Sequence, residues 1–281
     1  MVASYQWAGQ DSVVVCDLSL LKDTVDLPFS FFLKDFQIIK LDNRDEAMVG
    51  ENNLCVSENY ILVYGSVYEL HPCRLFTKKG EFVTNIGAIG QGPGEYRAVY
   101  KAEIDEKHNC IYLMPFDNSN AIYVYDLAGK PLRSIPLHQS VSKAVFKVDA
   151  DKRELTVGAL PFTGYPFVAW VQDFEGHLLD SVPAARHLSV LPDYSNEVMY
   201  GANTEVFDLY ISTFFELRPD TLYHYIRSES RLKPRFTLNI GDRKRSITTF
   251  YELPQAYVGR LMVEEQVGDG CLLYTSDAAD D

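Results

Sequence analysis

The residues with the most to offer chemically lie in Asn85-Ile86-Gly87-Ala88-Ile89-Gly90-Gln91-Gly92-Pro93-Gly94-Glu95-Tyr96-Arg97, four glycines and a proline between two apolar runs. Successive backbone N–H groups in such a loop can form an anion nest, so Gly90-x-Gly92-x-Gly94 is a candidate phosphate cradle. No Lys-Ser/Thr follows it, and the next segment reads as a strand, not the helix that a dinucleotide or P-loop site requires. Pro93-Gly94 suits a type II turn instead, with proline fixing φ at the second position and glycine accepting a positive φ at the third. The loop therefore reads as a connection with a demanding backbone. Any chemistry it has belongs to Gln91, Glu95, Tyr96 and Arg97.

Two further patterns invite metals. His71-Pro72-Cys73 and His108-Asn109-Cys110 are His-x-Cys pairs, a spacing that puts both side chains on one face of a strand and suggests zinc. Asp117-Asn118-Ser119-Asn120 and Asp149-Ala150-Asp151 are oxygen-rich, but neither has the twelve-residue calcium loop with its terminal glutamate. Both suit β-turns. Cysteines at 16, 55, 73, 110 and 271 form no C-x-x-C pair, which excludes a zinc ribbon and a disulfide framework. No Gly-x-Ser-x-Gly elbow occurs, and no histidine is placed for a triad.

The elements that must position these residues repeat. Residues 74–86, 122–135 and 168–182 are each two short strands about a glycine turn, at Gly80, Gly129 and Gly176, spaced 49 and 47 residues apart. Residues 221–236 form a fourth copy without the glycine. Two more apolar runs precede each hairpin: 54–56 with 60–64, 99–104 with 110–114, 144–148 with 155–159, and 198–200 with 209–215. Four short strands in a unit of about 40–50 residues mark a β-propeller blade. The expected fold is all-β, with blades at about 47–87, 97–137, 141–183 and 197–240 and part of a fifth beyond 242. Val13-Val14-Val15 is a short strand candidate, and Phe36-Gln37-Ile38-Ile39-Lys40-Leu41 reads as a strand. No segment has helical periodicity over three turns.

In such a blade, the crossovers from the fourth strand to the next blade and the loops between second and third strands share one face. That face would collect Tyr68, His71, Gln91, Glu95, Tyr96, Arg97, Phe116, Asp117, Phe162, Tyr165, Arg218 and Asp220. Aromatics with a few charges suit a sugar or peptide ligand. We take Tyr68, Gln91, Glu95, Tyr96, Arg97, Phe116, Asp117, Tyr165 and Arg218 as the candidate ligand-binding set.

Composition narrows the partners. A net charge of −13 without a basic stripe argues against nucleic acid. No run of about 18 apolar residues occurs, so no transmembrane helix is expected. Met1–Gln10 lacks the basic and apolar regions of a signal peptide. Residues 271–281 read as the translation of a sequencing-library adapter and are set apart from the fold. The expected division is therefore an N-terminal segment at 1–46, an incomplete propeller at 47–270, and the tail.

Gly90-Gln91-Gly92-Pro93-Gly94-Glu95-Tyr96, the Tyr125-Asp126-Leu127-Ala128-Gly129-Lys130 turn and Lys233-Pro234-Arg235-Phe236-Thr237-Leu238-Asn239-Ile240-Gly241 resemble the six-bladed β-propeller proteins of Bacteroidota. That family is NHL-like in blade pattern and of lipoprotein type, and the resemblance extends over about residues 11–265. It implies a periplasmic or outer-membrane-associated protein, with a lipid anchor in the full-length form. An acylated cysteine should precede Asp11, and Cys16 sits in the wrong context for one. A ring of six blades would need about 80–100 further residues at this repeat length. The expected role is a non-catalytic propeller that binds a small molecule, glycan, peptide or partner protein, without a cofactor. The alternative is a metal-assisted, lactonase-like hydrolase or lyase holding calcium or zinc at the mouth of the propeller channel.

Overall fold

The computed structural model describes residues 3–8, 11–20, 28, 30, 33–50, 53–65, 71–116, 119–184, 195–212, 221–239, 248–254 and 256–261. The tail at 271–281 lies outside them. The chain divides into two compact units, Val25–Leu188 and Met1–Thr24 with Ser189–Asp281.

The first strands are a hairpin, β1 (Ala3–Ala8) and β2 (Asp11–Asp17). The Val25–Leu188 unit then holds three four-stranded antiparallel sheets in succession. These are β3 (Asn53–Val56), β4 (Tyr60–Tyr64), β5 (Cys73–Thr77) and β6 (Phe82–Ile86), followed, after the short strands β7 (Ala88–Ile89) and β8 (Glu95–Tyr96), by two more. One is β9 (Val99–Asp105), β10 (Cys110–Pro115), β11 (Ser119–Tyr125) and β12 (Ile135–Val141). The other is β13 (Ala144–Asp149), β14 (Glu154–Ala159), β15 (Phe167–Asp173) and β16 (Leu178–Pro183).

In the other unit, β17 (Glu197–Met199), β18 (Asp208–Ser212), β19 (Thr221–Ile226) and β20 (Arg231–Asn239) repeat the pattern. Beyond them stands the hairpin β21 (Thr248–Leu253) and β22 (Ala256–Leu261). Among the described residues the only helical segments are single 3-10 turns.

The blades hold together through their faces. Side chains alternate along a strand, and β10 uses both sides. Ile111 and Leu113 enter a core shared with Leu62, Leu75 and Ile86 of the first blade. Tyr112 and Met114 enter a second core with Phe146, Leu155, Val157 and Trp170 of the third. Burial on both faces explains why Ile111-Tyr112-Leu113-Met114 is a continuous apolar run instead of an alternating one. Each large apolar side chain so buried contributes roughly 1.5–3 kcal/mol, so the stabilised object is the seam between blades.

Polar bonds lace the same seams. Buried Gln172 on β15 accepts from His138 N at 2.8 Å and Trp170 Nε1 at 2.9 Å, and its amide donates to Pro136 O at 2.7 Å. Glu103 on β9 accepts from Val148 N of β13 at 3.1 Å. Asn59 N and Nδ2 donate to Glu106 at 2.7 and 2.8 Å across the first two blades.

The segment 36–41 differs from expectation, because it joins no ladder. Ile39 and Leu41 pack on the outer face of the first blade with Ala47, Ile61, Val63 and Phe76, while Phe36 and Ile38 are exposed. Its neighbour explains it. A Cβ on Gly129 would meet Asn85 O of β6 at 2.3 Å, so that turn leans on the preceding blade's fourth strand. A Cβ on Gly80 would meet Lys40 O at 2.0 Å, and Asp42 N donates to Gly80 O at 2.8 Å. Residues 40–42 thus lie against the first blade where Asn85 lies against the second.

The N-terminal region expected at 1–46 is shared between the units, because β2 adds in parallel to the outer edge of β20, pairing Val14 with Phe236 and Asp17 with Asn239. Where the fourth hairpin lacks its glycine, Ser230 takes the left-handed conformation, φ +47°.

Candidate functional site

The glycine-rich stretch is the crossover from the first blade to the second, and its backbone is closed on itself. Glu95 N donates to Gly92 O at 3.0 Å across Pro93-Gly94, with Gly94 at φ +76°, which is the expected type II turn. Gly90 N donates to Tyr96 O at 3.0 Å, and Gly92 N to Glu95 Oε2 at 2.8 Å. These amides are satisfied within the loop, so Gly90 and Gly92 offer no phosphate cradle.

Tyr96 anchors the crossover. Its ring is buried, its hydroxyl accepts from Cys73 N at 2.7 Å, and it donates to Ile86 O. Burial raises the pKa of this phenol and keeps it protonated. Tyr125 meets it edge-on, with centroids 6.3 Å apart.

Around this anchor opens a cleft of about 480 Å³, lined by Gly90, Gln91, Gly92, Glu95, Tyr96, Arg97, Ala98, Pro115, Phe116 and Tyr123. Five predicted residues therefore meet there: Gln91, Glu95, Tyr96, Arg97 and Phe116. Phe116 N donates to Ala98 O at 2.9 Å, which fixes the loop after β10 against the crossover. Gln91 and Arg97 are exposed, whereas Glu95 is half-buried against Gly92. Arg97 makes no ion pair among the described residues.

Tyr165 is not in this lining. Its hydroxyl accepts from Ser142 N at 3.1 Å, and its ring packs on Phe162 and the core of the third blade. His71 is exposed, and Phe162 is buried. Tyr68, Asp117, Arg218 and Asp220 lie outside the described residues.

Sequence reasoning missed Lys143, which is 3% exposed. Its ammonium lies 5.6 Å from the ring centroids of both Tyr100 and Phe116, a cation–π arrangement against the wall of the cleft. Its sequence signal was faint, a single lysine just before the apolar run of β13.

The metal-like patterns are used otherwise. Burial pushes the Cys73 thiol up to about 12, which makes it an inert core side chain. His108 Nδ1 lies 2.7 Å from Asp105 Oδ2, and Cys110 Sγ donates to His108 O at 3.3 Å. Asp149 accepts from Lys152 within its turn, and Asp151 pairs with Lys107 at 2.6 Å. Among the described residues no group of three or more His, Cys, Asp or Glu is disposed to hold a metal ion. No described helix is long and apolar enough to cross a membrane.

Four-stranded antiparallel sheets following one another, packed face to face in Val25–Leu188 and linked by crossovers, define a protein of the β-propeller class. The chain belongs to the family described as Domain of unknown function, DUF4934, whose model matches residues 13–259. A search of curated proteins finds no match.

Among solved structures it is similar to a Bacteroides fragilis NCTC 9343 protein described as a "putative exported protein", at 20% identity and TM-score 0.51, covering 73% of this chain and 56% of that one. It thus spans little more than half of that neighbour. It is also similar to the WD40 β-propeller domain of Doa1, at 13% identity and TM-score 0.40, covering 64% and 51% of the two chains. At 20% identity the likeness to the Bacteroides protein concerns the fold and nothing finer.

Proposed function

We propose that the chain is a non-catalytic binding or interaction module of the bacterial cell envelope. In this reading it is part of a six-bladed, NHL-like ring, and the cleft at the first crossover holds a small-molecule, glycan or peptide ligand. The observation that carries the reading is the convergence of Gln91, Arg97 and Phe116 on one cleft, floored by a tyrosine whose hydroxyl is already committed to the fold. A mostly pre-formed concavity with aromatic walls and a few polar groups is the usual form of a ligand site. The position of residues 40–42, beside the first blade where a preceding blade's fourth strand would lie, supports ring closure.

Ligand-observed NMR on the full chain, with saccharide and peptide panels, tests the proposal. Binding should occur and should weaken about tenfold or more in Phe116→Ala, since burying an aromatic face is worth well over the 1.4 kcal/mol of a tenfold change. Binding unchanged by Phe116→Ala would place the ligand elsewhere and overturn the reading.

A further inference from the structure

We infer that the cleft takes a small organic carboxylate, with its anionic group on Arg97 and its apolar body against Phe116. This rests on the cleft being the ligand site and adds the chemistry of what it holds.

Cation placement carries the inference. The chain has a net charge of −13, yet the charged group that stands exposed in the lining of this cleft is the guanidinium of Arg97. Arg97 lines it, exposed and without an ion pair among the described residues. Lys143, almost wholly buried, stands 5.6 Å from the centroid of the Phe116 ring that forms its wall. Glu95, the carboxylate in the lining, is turned into the loop, with Oε2 accepting from Gly92 N at 2.8 Å.

The type of anion follows from which donors are left. The amides of Gly90, Gly92 and Glu95 are used inside the crossover, so a phosphate would lack the backbone nest it usually occupies. A guanidinium presents a planar fork that matches a carboxylate with two parallel hydrogen bonds. Phe116 then offers a flat apolar surface to the rest of the molecule, and Gln91 can bond a hydroxyl or amide on it.

The test titrates the purified full chain with D-glucuronate and with hippurate, against methyl glucoside and methyl hippurate as neutral counterparts, by ligand-observed NMR. At least one acid should bind, its neutral counterpart should not, and binding should fall with added NaCl. Binding of glucuronate identifies a sugar acid as the source of the carboxylate, and binding of hippurate an acylated amino acid.

Arg97→Gln should weaken binding about tenfold or more, as expected for the loss of charge-assisted hydrogen bonds. Arg97→Lys should restore only part of it, since the charge returns without the fork. Thermal unfolding unchanged in both variants verifies the fold. Failure of both acids to bind, or equal binding of the neutral counterparts, overturns the inference. If the neutral compounds bind and Phe116→Ala abolishes that binding, the cleft remains the ligand site and only the carboxylate is wrong. Acid binding that neither Arg97→Gln nor Phe116→Ala alters removes both readings.

Discussion

Glu103 joins the second and third blades through a carboxylate that the seam does not favour in its charged form. It sits on β9, accepts from Val148 N at 3.1 Å, and has its pKa raised from 4.5 to about 7. Desolvation is the largest cause. The Val148 amide, Lys101 and Lys147 oppose it, and Asp105 adds to it. In the unfolded chain the group titrates near 4.5 and in the folded chain near 7, so between those values the folded state holds more protons. The stability attached to Glu103 is then complete below about pH 4.5 and lost as pH rises through about 7.

At 1.36 kcal/mol per pH unit, that interval corresponds to at most about 3 kcal/mol. Glu103→Gln removes the titration and keeps an acceptor for the Val148 amide. The variant should match the wild type near pH 4.5 and exceed it by up to about 3 kcal/mol above about pH 8. Urea unfolding of both proteins across that range, followed by tryptophan fluorescence from Trp170 in the same seam, measures the difference. A difference that does not change with pH would refute the reasoning, as would a variant less stable at high pH.

Other consequences are more local. Gly94→Val should destabilise by about 2 kcal/mol, because a branched residue resists φ +76° and its Cβ would stand 3.0 Å from Pro131; an unchanged melting temperature would contradict the turn. Tyr96→Phe leaves Cys73 N and Ile86 O without their side-chain partner and should cost about 2 kcal/mol in chemical denaturation. Ser230→Gly should stabilise, by about 1 kcal/mol less the entropy that glycine adds to the unfolded chain, since Ser230 holds φ +47°. A lower denaturation midpoint in that variant would show that the serine side chain does more than tolerate the turn.

The blades were legible because their signals are local. Runs such as Ile111-Tyr112-Leu113-Met114 and the turn glycines at 80, 129 and 176 each report a conformation their own residues need. The Pro93-Gly94 turn was legible for the same reason. What the sequence hid depends on partners far along the chain. Nothing in residues 36–41 reveals that their neighbour is the Gly80 turn instead of a ladder strand. Nothing in Val13-Val14-Val15 names β20 as the strand it joins. Tyr96 and Tyr165 look like ligand-facing aromatics by position, and their hydroxyls turn out to serve backbone amides of Cys73 and Ser142, 23 residues away in each case. Lys143 was missed because only the fold sets it beside Tyr100 and Phe116.

That division of labour is what would let one crossover serve both as a stringent structural element and as the proposed site. Glycines and proline bend its chain, and Glu95 and Tyr96 satisfy its amides and those of the adjoining blade. The positions left over, Gln91 and Arg97, bond to none of that framework and point their chemistry outward from a backbone already held on both sides. Substitutions at the framework positions should therefore appear as lost stability, whereas those at Gln91 and Arg97 should leave folding intact and alter only what the cleft binds. In the function proposed above, such a site would change its ligand without changing its blade, with the glycine motif specifying the fold of the crossover and Gln91 and Arg97 supplying the recognition.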